Sequence, residues 1–435
     1  SMKKVLIITY YWPPAGGGGV QRWVKFVKYL QDFGWEPVVY TVENPDYPIL
    51  DKSIGEEVPK DIVVLKHPII EPYGVYKKLT GKHKNEKIDA NFLSQGKKMA
   101  WKDKLAVWVR GNVFIPDARF LWIKPSVKYL SKYLDQNHID AIISTGPPHS
   151  CHLIAYHIKQ KFKFPWIIDY RDPWTQIDYF DDLGLTAWSR KRHITLEKKV
   201  LNACDIIVTV GKTMASDLRL LTDNRTEVIT NGFDESDRTG HGQVTDNYFS
   251  VTYIGTMNDA RNPEALWKAV SFLKKMNHPL CKELKVNLVG KPEAIVSDSV
   301  TYYDINDLVN FIGYVPHKEA IKYQNAAQIL LLIINRTSNN ASILTGKIFE
   351  YLASGRPVLC IGPNDGDAAD IIHEAGAGVV IDYDDVNAVV EYLKQNFERY
   401  KSGQLKTQTS GIEKYSRRAL TGKYAELLND IIQHK

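Results

Sequence analysis

The chain has 435 residues, of which 44% are hydrophobic and 24% charged, and its formal net charge is +6. This composition is that of an ordinary soluble globular protein, and the length is natural for two domains of about 200 residues each. Four scattered cysteines with no Cys-x-x-Cys pair argue against a disulfide framework and against a structural zinc site. The sequence shows neither a signal-peptide pattern nor an apolar run of transmembrane length, so we expect a cytoplasmic protein.

Short apolar runs rich in Val and Ile alternate with amphipathic helical stretches along the whole chain. In the first half these runs are 5–8, 38–40, 62–65, 142–143, 166–168 and 206–208. In the second half they are 251–254, 286–289, 329–334 and 358–361. Alternation of this kind, with nearly all-apolar strands, predicts parallel sheets that are covered by helices on both faces.

A polar stretch at 234–243 has no periodicity and interrupts this alternation. We therefore predict an N-terminal domain over 1–238, a linker over 239–247 and a C-terminal domain over 248–413. Two doubly wound α/β domains facing each other would form a cleft at the carboxyl ends of their strands, where ligands of such sheets bind.

The first strand is followed by four consecutive glycines, 16–19, and then by a helix predicted over 20–33. Gly17, Gly18 and Gly19 would let backbone amides approach an oxyanion with no Cβ in the way. The spacing differs from the Gly-x-Gly-x-x-Gly pattern that is typical of dinucleotide binding. A flexible turn is the alternative interpretation.

The segment 75–110 is strongly basic, with ten Lys or Arg residues, three acidic residues and a net charge of +7. Trp101 and Trp108 lie among these charges. Basic residues with interfacial aromatics suit an anionic membrane surface, here the inner face of the cytoplasmic membrane. We expect no nucleic-acid partner, because no recognised nucleic-acid module accompanies the segment. A solvated loop and helix with core aromatics is the alternative.

Two polar segments follow strands of the first domain. His149 comes shortly after the run 142–143, and Asp169 and Asp172 flank Arg171 after the run 166–168. Both segments fall at carboxyl ends of strands, on the side of the sheet that binds ligands. Pairing of Arg171 with a neighbouring aspartate is the alternative role for one of the two acids, and helix capping is the alternative role for His149.

The run 346–359 predicts a short helix that ends at Gly355 and leads into a strand. The preceding polar stretch 337–342 offers capping residues, and a helix start of this kind is an anion site to which Lys347 adds a positive charge. Glu350, on the same face, can accept hydrogen bonds from sugar hydroxyls. Phosphate at the helix start with a diol acceptor behind it describes a nucleotide-sugar site. Pairing of Glu350 with Lys347 on a solvated face is the alternative.

This segment resembles the nucleotide-binding helix of the retaining glycosyltransferases with the GT-B fold, in the large fourth family (glycosyl transferases group 1). Glu350 matches the second glutamate of that family's Glu-x7-Glu motif, and 353–358 matches the Ala-x-Gly-x-Pro-Val run that follows it. The first glutamate of the motif falls at Ser342. The resemblance covers essentially the whole chain and implies an α/β GT-B fold of two Rossmann-like domains, with the last helix, within 414–435, packing back on the first.

The resemblance also implies roles for individual residues. Family members usually carry an Arg after a glycine at the end of the first strand of the second domain, and a Lys five residues later, both on the diphosphate. Here Gly255 is followed by Thr256, and Arg261 occupies the second position as a guanidinium that can bind phosphate in a bidentate way. Arg261 and Lys347 would stabilise the leaving diphosphate, and Glu350 would hold the ribose. The helix start would add Ser342, Thr345 and Gly346 to the substrate-binding residues.

Two further positions are carried over from the family to the first domain and the hinge. A histidine near the transferred sugar follows the equivalent strand in other members, and Asp169 and Asp172 are its nearest equivalents here, with no firm choice between them. Asn231 opens an Asn-Gly-Phe-Asp run that resembles the family's Asn-Gly-Val-Asp, which shapes the hinge and one wall of the cleft.

The sequence has no Asp-x-Asp run at a convincing strand end and no His-x-x-x-His, so we expect neither a metal nor a cofactor. Together with the family resemblance, which implies retention, it predicts a metal-independent, retaining glycosyltransferase that moves a sugar from a nucleoside diphosphate sugar, its co-substrate, to a hydroxyl of a lipid-linked or cell-surface glycan. A nucleotide-sugar 2-epimerase of the same fold and a non-catalytic nucleotide-sugar or glycan-binding protein are the alternatives.

Overall fold

The computed structural model describes residues 1–72, 100–238, 244–407 and 409–434. The chain divides into two compact units: unit 1 contains Ser1–Thr230 and Arg418–Lys435, and unit 2 contains Asn231–Arg417. The linker predicted at 239–247 therefore falls within unit 2, and its residues 239–243 lie outside the described residues. Most of the basic segment 75–110 also lies outside them.

Unit 1 is built on a seven-stranded sheet in the order β3-β2-β1-β4-β5-β6-β7, and all of its paired strands are parallel. Both faces of such a sheet are covered, which explains why its strands are almost entirely apolar. The order reverses between β1 and β4, so the topological switch point of unit 1 lies at the carboxyl ends of these two strands. The strands are β1 (Lys3–Ile8), β2 (Trp35–Val42), β3 (Val63–His67), β4 (Ala141–Gly146), β5 (Trp166–Tyr170), β6 (Ile206–Thr209) and β7 (Thr226–Val228).

The first helix of unit 1 packs on this sheet through regularly spaced apolar residues. The first helix begins two residues earlier than predicted and places Val20, Trp23, Val24 and Val27 in the core beside β1. The helices are α1 (Gly18–Leu30), α2 (Trp101–Asn112), α3 (Ile123–Leu134), α4 (Ser150–Phe162), α5 (Ala187–Ala203) and α6 (Lys212–Arg219).

Unit 2 is a second parallel sheet of six strands in the order β10-β9-β8-β11-β12-β13. Its switch point lies between β8 and β11. The strands are β8 (Phe249–Ile254), β9 (Leu284–Val289), β10 (Val309–Gly313), β11 (Ile329–Ile333), β12 (Val358–Ile361) and β13 (Gly378–Ile381). The helices are α7 (Glu264–Lys275), α8 (Ala294–Tyr302), α9 (His317–Ala326), α10 (Gly346–Ser354), α11 (Asp367–Ala375) and α12 (Val386–Lys401).

The last helix, α13 (Arg417–Gln433), begins three residues later than the bound drawn from the sequence and packs within unit 1. The ring of Tyr424 lies 5.4 Å from that of Trp23 and 4.9 Å from that of Phe26, both on α1. The N-terminal helix α1 and the C-terminal helix α13 therefore share one hydrophobic core in unit 1.

The predicted fold class is confirmed: the chain forms two α/β domains on parallel sheets, each doubly wound about a switch point. In the part of the chain that the structure describes, no helix combines the length and the apolar character needed to span a membrane.

Candidate functional site

The glycine-rich loop of unit 1 brings the start of α1 against a guanidinium group. Gly17 has φ +105° and precedes the helix, and a Cβ on Gly19 would lie 2.0 Å from Nη1 of Arg171. Any other residue here would require the Arg171 side chain to move. The guanidinium is held there because Nε donates to Oγ1 of Thr145 at 3.0 Å and Nη2 donates to the Pro147 carbonyl at 2.5 Å. A helix N-terminus beside a positive charge favours an anion.

Asp169, one of the two aspartates expected near the sugar, is completely buried, and its carboxylate accepts several hydrogen bonds. Its carboxylate accepts from Nη2 of Arg22, Nε1 of Trp23 and Oγ1 of Thr145, each at 2.8 Å, and from the hydroxyl of Tyr424. Burial opposes ionisation, but the Arg22 guanidinium prevails and lowers the pKa of Asp169 below its usual range. A carboxylate without accessible surface cannot touch a sugar, so this geometry indicates a structural role for Asp169.

Asp172 lies just beyond the end of β5 and is exposed. Because Asp169 is withdrawn into the core, Asp172 is the acid that unit 1 offers at this strand end. The sequence left the choice between the two open, since their spacing alone does not tell which of them faces inwards.

His149 precedes α4 but does not cap it with its side chain. Asp117 takes that place by accepting from the backbone nitrogen of Ser150 at 2.9 Å and from its hydroxyl at 2.7 Å. The imidazole instead stacks on Trp174, with ring centroids 4.8 Å apart and an interplanar angle of 6°. Burial, opposed by Asp117 and reinforced by Arg171, lowers the pKa of His149 to about 4. Its Nδ1 atom is buried and has no hydrogen-bond partner among the described residues.

In unit 2, the loop after β8 is shaped by glycines. Gly255 has φ +134° and its nitrogen donates to the Val289 carbonyl at 2.9 Å. A Cβ on Gly290 would lie 2.2 Å from the Gly255 oxygen, so the two loops touch backbone to backbone. Thr256 is exposed, and its carbonyl accepts from the Tyr253 hydroxyl at 2.9 Å.

Arg261 follows in a short 3₁₀ turn, Asp259–Arg261, which Asn258 caps by accepting from the Arg261 nitrogen at 3.2 Å. The Nε atom of Arg261 is buried and finds no hydrogen-bond partner within the described parts of the chain. The rest of the guanidinium is partly exposed and interacts with the Tyr253 hydroxyl, so Nε is the one atom of the group that is buried without a partner among the described residues. Burying a polar atom in this way costs about 1–3 kcal/mol.

The second loop at this end of the unit 2 sheet follows β11 and leads into the start of α10. The residue before the helix is Thr345 rather than any residue of the polar stretch 337–342, because Asn340–Ser342 form a separate 3₁₀ turn. Ser342 donates its hydroxyl to the Asn339 carbonyl at 2.9 Å and does not reach the helix start. The Oγ1 atom of Thr345 is buried, caps no backbone N–H, and lacks a partner among the residues the structure describes. Gly346, the first helical residue, is exposed.

The loop that carries Arg261 and the loop that leads into α10 lie at the same end of the unit 2 sheet. The loops follow β8 and β11, which are paired neighbours at the switch point of unit 2. They are also tied directly, because the Arg336 nitrogen donates to the Ala260 carbonyl at 2.9 Å. The region therefore offers guanidinium, hydroxyl and helix N–H donors to a negatively charged ligand.

Lys347 and Glu350 form the ion pair that the sequence left open as an alternative. Nζ of Lys347 lies 2.9 Å from Oε2 of Glu350, and the side chains are 33% and 30% exposed. A partly exposed i,i+3 pair contributes only a few tenths of a kcal/mol. Either side chain can therefore exchange its partner for a ligand group at small cost.

Asn231 opens unit 2 and is half-buried. Two residues further on, the Phe233 nitrogen donates to the Tyr415 carbonyl at 3.0 Å, and the Arg417 nitrogen donates to the Phe233 carbonyl at 2.9 Å. The run 231–234 thus pairs with the segment that leaves unit 2. Its predicted role as a hinge and cleft wall stays a prediction.

Among the residues that the structure describes, no three His, Cys, Asp or Glu side chains cluster closely enough to hold a metal ion. The donors at the unit 2 switch point are cations, a hydroxyl and backbone N–H groups.

Two family models match neighbouring parts of the chain. Residues 92–237 match the model described as Glycosyltransferase Family 4, and residues 249–398 match the model described as Glycosyl transferases group 1. Among curated proteins, none matches the chain.

Solved structures resemble the chain over its whole length. A TarM variant from S. aureus, in complex with Fondaparinux, alpha-GlcNAc-glycerol and UDP, is 14% identical with a TM-score of 0.54, and the match covers 98% of this chain and 100% of that one. The lipopolysaccharide outer core galactosyltransferase WaaB is 13% identical with a TM-score of 0.55, covering 100% and 99%. A putative UDP-N-acetylglucosamine 2-epimerase from Listeria monocytogenes is 9% identical with a TM-score of 0.54, covering 100% and 98%.

The structural matches define the fold as GT-B. Together with the two family models, they support a GT-B glycosyltransferase of the group 1 and family 4 type. Sequence identities of 9–14% show a shared fold, and they do not identify the donor, the acceptor or the stereochemistry.

Proposed function

We propose that the protein is a retaining, metal-independent glycosyltransferase that uses a nucleoside diphosphate sugar to glycosylate a hydroxyl of a cell-surface polysaccharide or glycolipid intermediate. The observation that carries the proposal is the pair of buried, unsatisfied donors at the unit 2 switch point, Nε of Arg261 and Oγ1 of Thr345. Buried polar groups are normally hydrogen-bonded. Two such donors at the ligand-binding end of one sheet call for an external acceptor, and a diphosphate supplies several acceptor oxygens.

The diphosphate is held by groups that stabilise the charge it gains on leaving. Arg261 and Lys347 supply positive charge, Thr345 supplies a hydroxyl, and Gly346 and Lys347 supply backbone N–H groups of the first turn of α10. This electrostatic stabilisation replaces the role that a divalent metal ion plays in other phosphate-transfer sites. Glu350 exchanges Lys347 for the ribose hydroxyls, and Ser342 stands where the family carries its first glutamate.

Retention follows from front-side attack, with the departing phosphate itself taking the proton of the acceptor hydroxyl. This route needs no enzymatic nucleophile. Of the aspartates considered for a role at the sugar, Asp169 is buried among five hydrogen-bond contacts, while Asp172 and His149 are the groups of unit 1 that we assign to acceptor binding. With a pKa near 4, His149 is neutral at physiological pH.

The structural neighbours support this substrate class. TarM was solved with UDP and a GlcNAc-glycerol, and WaaB is a galactosyltransferase of lipopolysaccharide. The Listeria neighbour supports the rival activity, 2-epimerisation of a nucleotide sugar, since it shares the fold. Epimerisation consumes no acceptor, so acceptor dependence separates the two activities. A third reading, a binding protein without activity, is motivated by Ser342 in place of the first glutamate.

The test is a two-stage assay. First, UDP, GDP, ADP and their sugars are compared by thermal shift, because a ligand that binds the native state raises the midpoint by mass action. Second, the stabilising donor is incubated with a membrane glycolipid and polysaccharide extract, and free nucleoside diphosphate is quantified with and without the extract. We expect one nucleotide to stabilise and its release to require the extract. Absence of stabilisation by any diphosphate would refute the site, and acceptor-independent 2-epimer formation would favour the rival.

A further inference from the structure

Unit 1 carries an exposed aromatic surface, formed by α2 and the start of α5, which we call the α2–α5 surface. On α2, Trp101 is 69% exposed, Leu105 47% and Trp108 43%. Their i, i+4 and i+7 spacing places them on one side of the helix. On α5, Trp188 is 68% exposed. Large aromatic side chains left this open on a soluble domain mark an interaction surface.

The two helices are joined rigidly where α2 ends. The Thr186 nitrogen donates to Oδ1 of Asn112 at 2.7 Å, the Ser189 hydroxyl donates to the Asn112 carbonyl at 3.2 Å, and Nδ2 of Asn112 donates to the Gly184 carbonyl at 3.2 Å. The buried Asn112 thus serves as a common anchor. The tryptophans are therefore presented by two ordered helices that share a joint.

These helices carry an excess of basic residues, which the neighbouring 3₁₀ turn Phe180–Leu183 offsets in part with Asp181 and Asp182. Together α2 and α5 contain eight Lys or Arg residues and two acidic residues, Asp103 and Glu197. Glu197 is buried, where it accepts from Tyr170 and Thr175. Arg190 pairs with the exposed Asp181 at 2.5 Å. The exposed cations are Lys102, Lys104, Arg190, Lys191, Arg192, Lys198 and Lys199.

We propose that the α2–α5 surface binds the anionic headgroup layer of a phospholipid bilayer. Tryptophan prefers the boundary between headgroups and acyl chains, where its ring is apolar and its N–H stays wet, and long basic side chains reach from there to lipid phosphates. The ammonium of Lys102 already lies 5.7 Å from the ring centroid of Trp101, so charge and aromatic surface are adjacent. The proposal does not depend on the donor chemistry of unit 2.

Vesicle flotation of the full chain tests it. We expect binding to vesicles that contain phosphatidylglycerol, release at high salt, and no binding to pure phosphatidylcholine, because surface attraction is screened within a Debye length. Substitution of Lys102, Lys104, Lys191 and Arg192 by glutamine should weaken partitioning about fivefold for each charge. The variant W101S/W188S should also lose binding. A matched control is Y302S/Y314S in unit 2, whose tyrosines are 81% and 85% exposed.

The control variant should bind vesicles like the wild type, and all variants should keep the same thermal midpoint and the same nucleotide-induced shift. Equal binding to neutral and anionic vesicles would overturn the electrostatic part of the proposal, and binding to neither would overturn it altogether. If W101S/W188S instead converts an oligomer to a monomer without any vesicle binding by the wild type, the surface is a self-association interface and the proposal is wrong.

Discussion

The unsatisfied donors at the unit 2 switch point make a prediction that separates function from folding. In most buried arginines, truncation removes a hydrogen bond and destabilises the protein. Nε of Arg261 has none to lose within the described residues. The guanidinium also hydrogen-bonds the Tyr253 hydroxyl, which keeps a second partner in the Thr256 carbonyl. We therefore expect R261A to lower the free energy of unfolding by no more than about 1 kcal/mol, the net value of one hydrogen bond.

The effect on ligand binding should be much larger. A hydrogen bond to a charged group contributes about 1.5–3 kcal/mol, so R261A should weaken diphosphate binding roughly 10- to 150-fold. T345V removes only a hydroxyl and keeps the shape of the side chain. We expect it to weaken binding by about 1–2 kcal/mol and to leave stability unchanged or slightly improved, because a buried unsatisfied group disappears.

The assay is titration calorimetry with the preferred nucleoside diphosphate, combined with urea unfolding of each variant. Y392F is the matched control, because the Tyr392 hydroxyl is likewise buried without a partner in the described part of unit 2, yet it belongs to the core packing of α12. Y392F should keep wild-type affinity. If R261A and T345V bind like Y392F, or if they lose stability in proportion to affinity, the two donors are not a ligand site.

Three further predictions follow from the same geometry. E350A should weaken nucleotide binding by about 1–3 kcal/mol in calorimetry but lower stability by less than about 0.5 kcal/mol, since only the partly exposed pair with Lys347 is lost; equal affinity would remove Glu350 from the ribose site. Transfer should persist in EDTA, because cations of the chain stabilise the leaving group; rescue by magnesium alone would contradict this. D169N should cost roughly 3–5 kcal/mol in urea unfolding, because it leaves Arg22 buried without its charge. The pKa of Asp169 is lower in the folded state than the value of about 3.9 in the unfolded state. Ionised Asp169 therefore adds to the free energy of unfolding above pH about 3.9, and this stabilisation is lost as the pH falls through the lower folded pKa. D169N should accordingly make the free energy of unfolding less dependent on pH in the acid range.

The positions of the two switch-point regions could be predicted from the sequence because they depend on local signals. Apolar runs mark buried parallel strands, and the residues that follow them must lie at the carboxyl edge of the sheet. The glycine run that includes Gly17 indicated a loop after the first strand, and Gly17 has a positive φ. Even the pairing of Lys347 with Glu350 was foreseeable as an alternative, since residues three apart on a helix are neighbours.

The residues that sequence reasoning placed less well depend on contacts between distant parts of the chain. The burial of Asp169 is decided by Arg22 and by Tyr424, the latter 255 residues away. No local pattern tells that this acid points inwards while Asp172 points outwards. The role of Arg171 beside the α1 start was missed for the same reason, although the glycine at Gly19 was a usable signal. The start of α10 at Gly346 agrees with the prediction, but the residue at its N-cap position is Thr345 and not a member of the polar stretch 337–342.

The central claim is most directly tested by proton NMR of the reaction with its preferred donor, followed at the anomeric and C2 protons in the presence and absence of acceptor. We expect donor consumption only when acceptor is present, and a product whose anomeric configuration equals that of the donor. A product of inverted configuration would contradict retention, and conversion of the donor to its 2-epimer without acceptor would contradict sugar transfer itself.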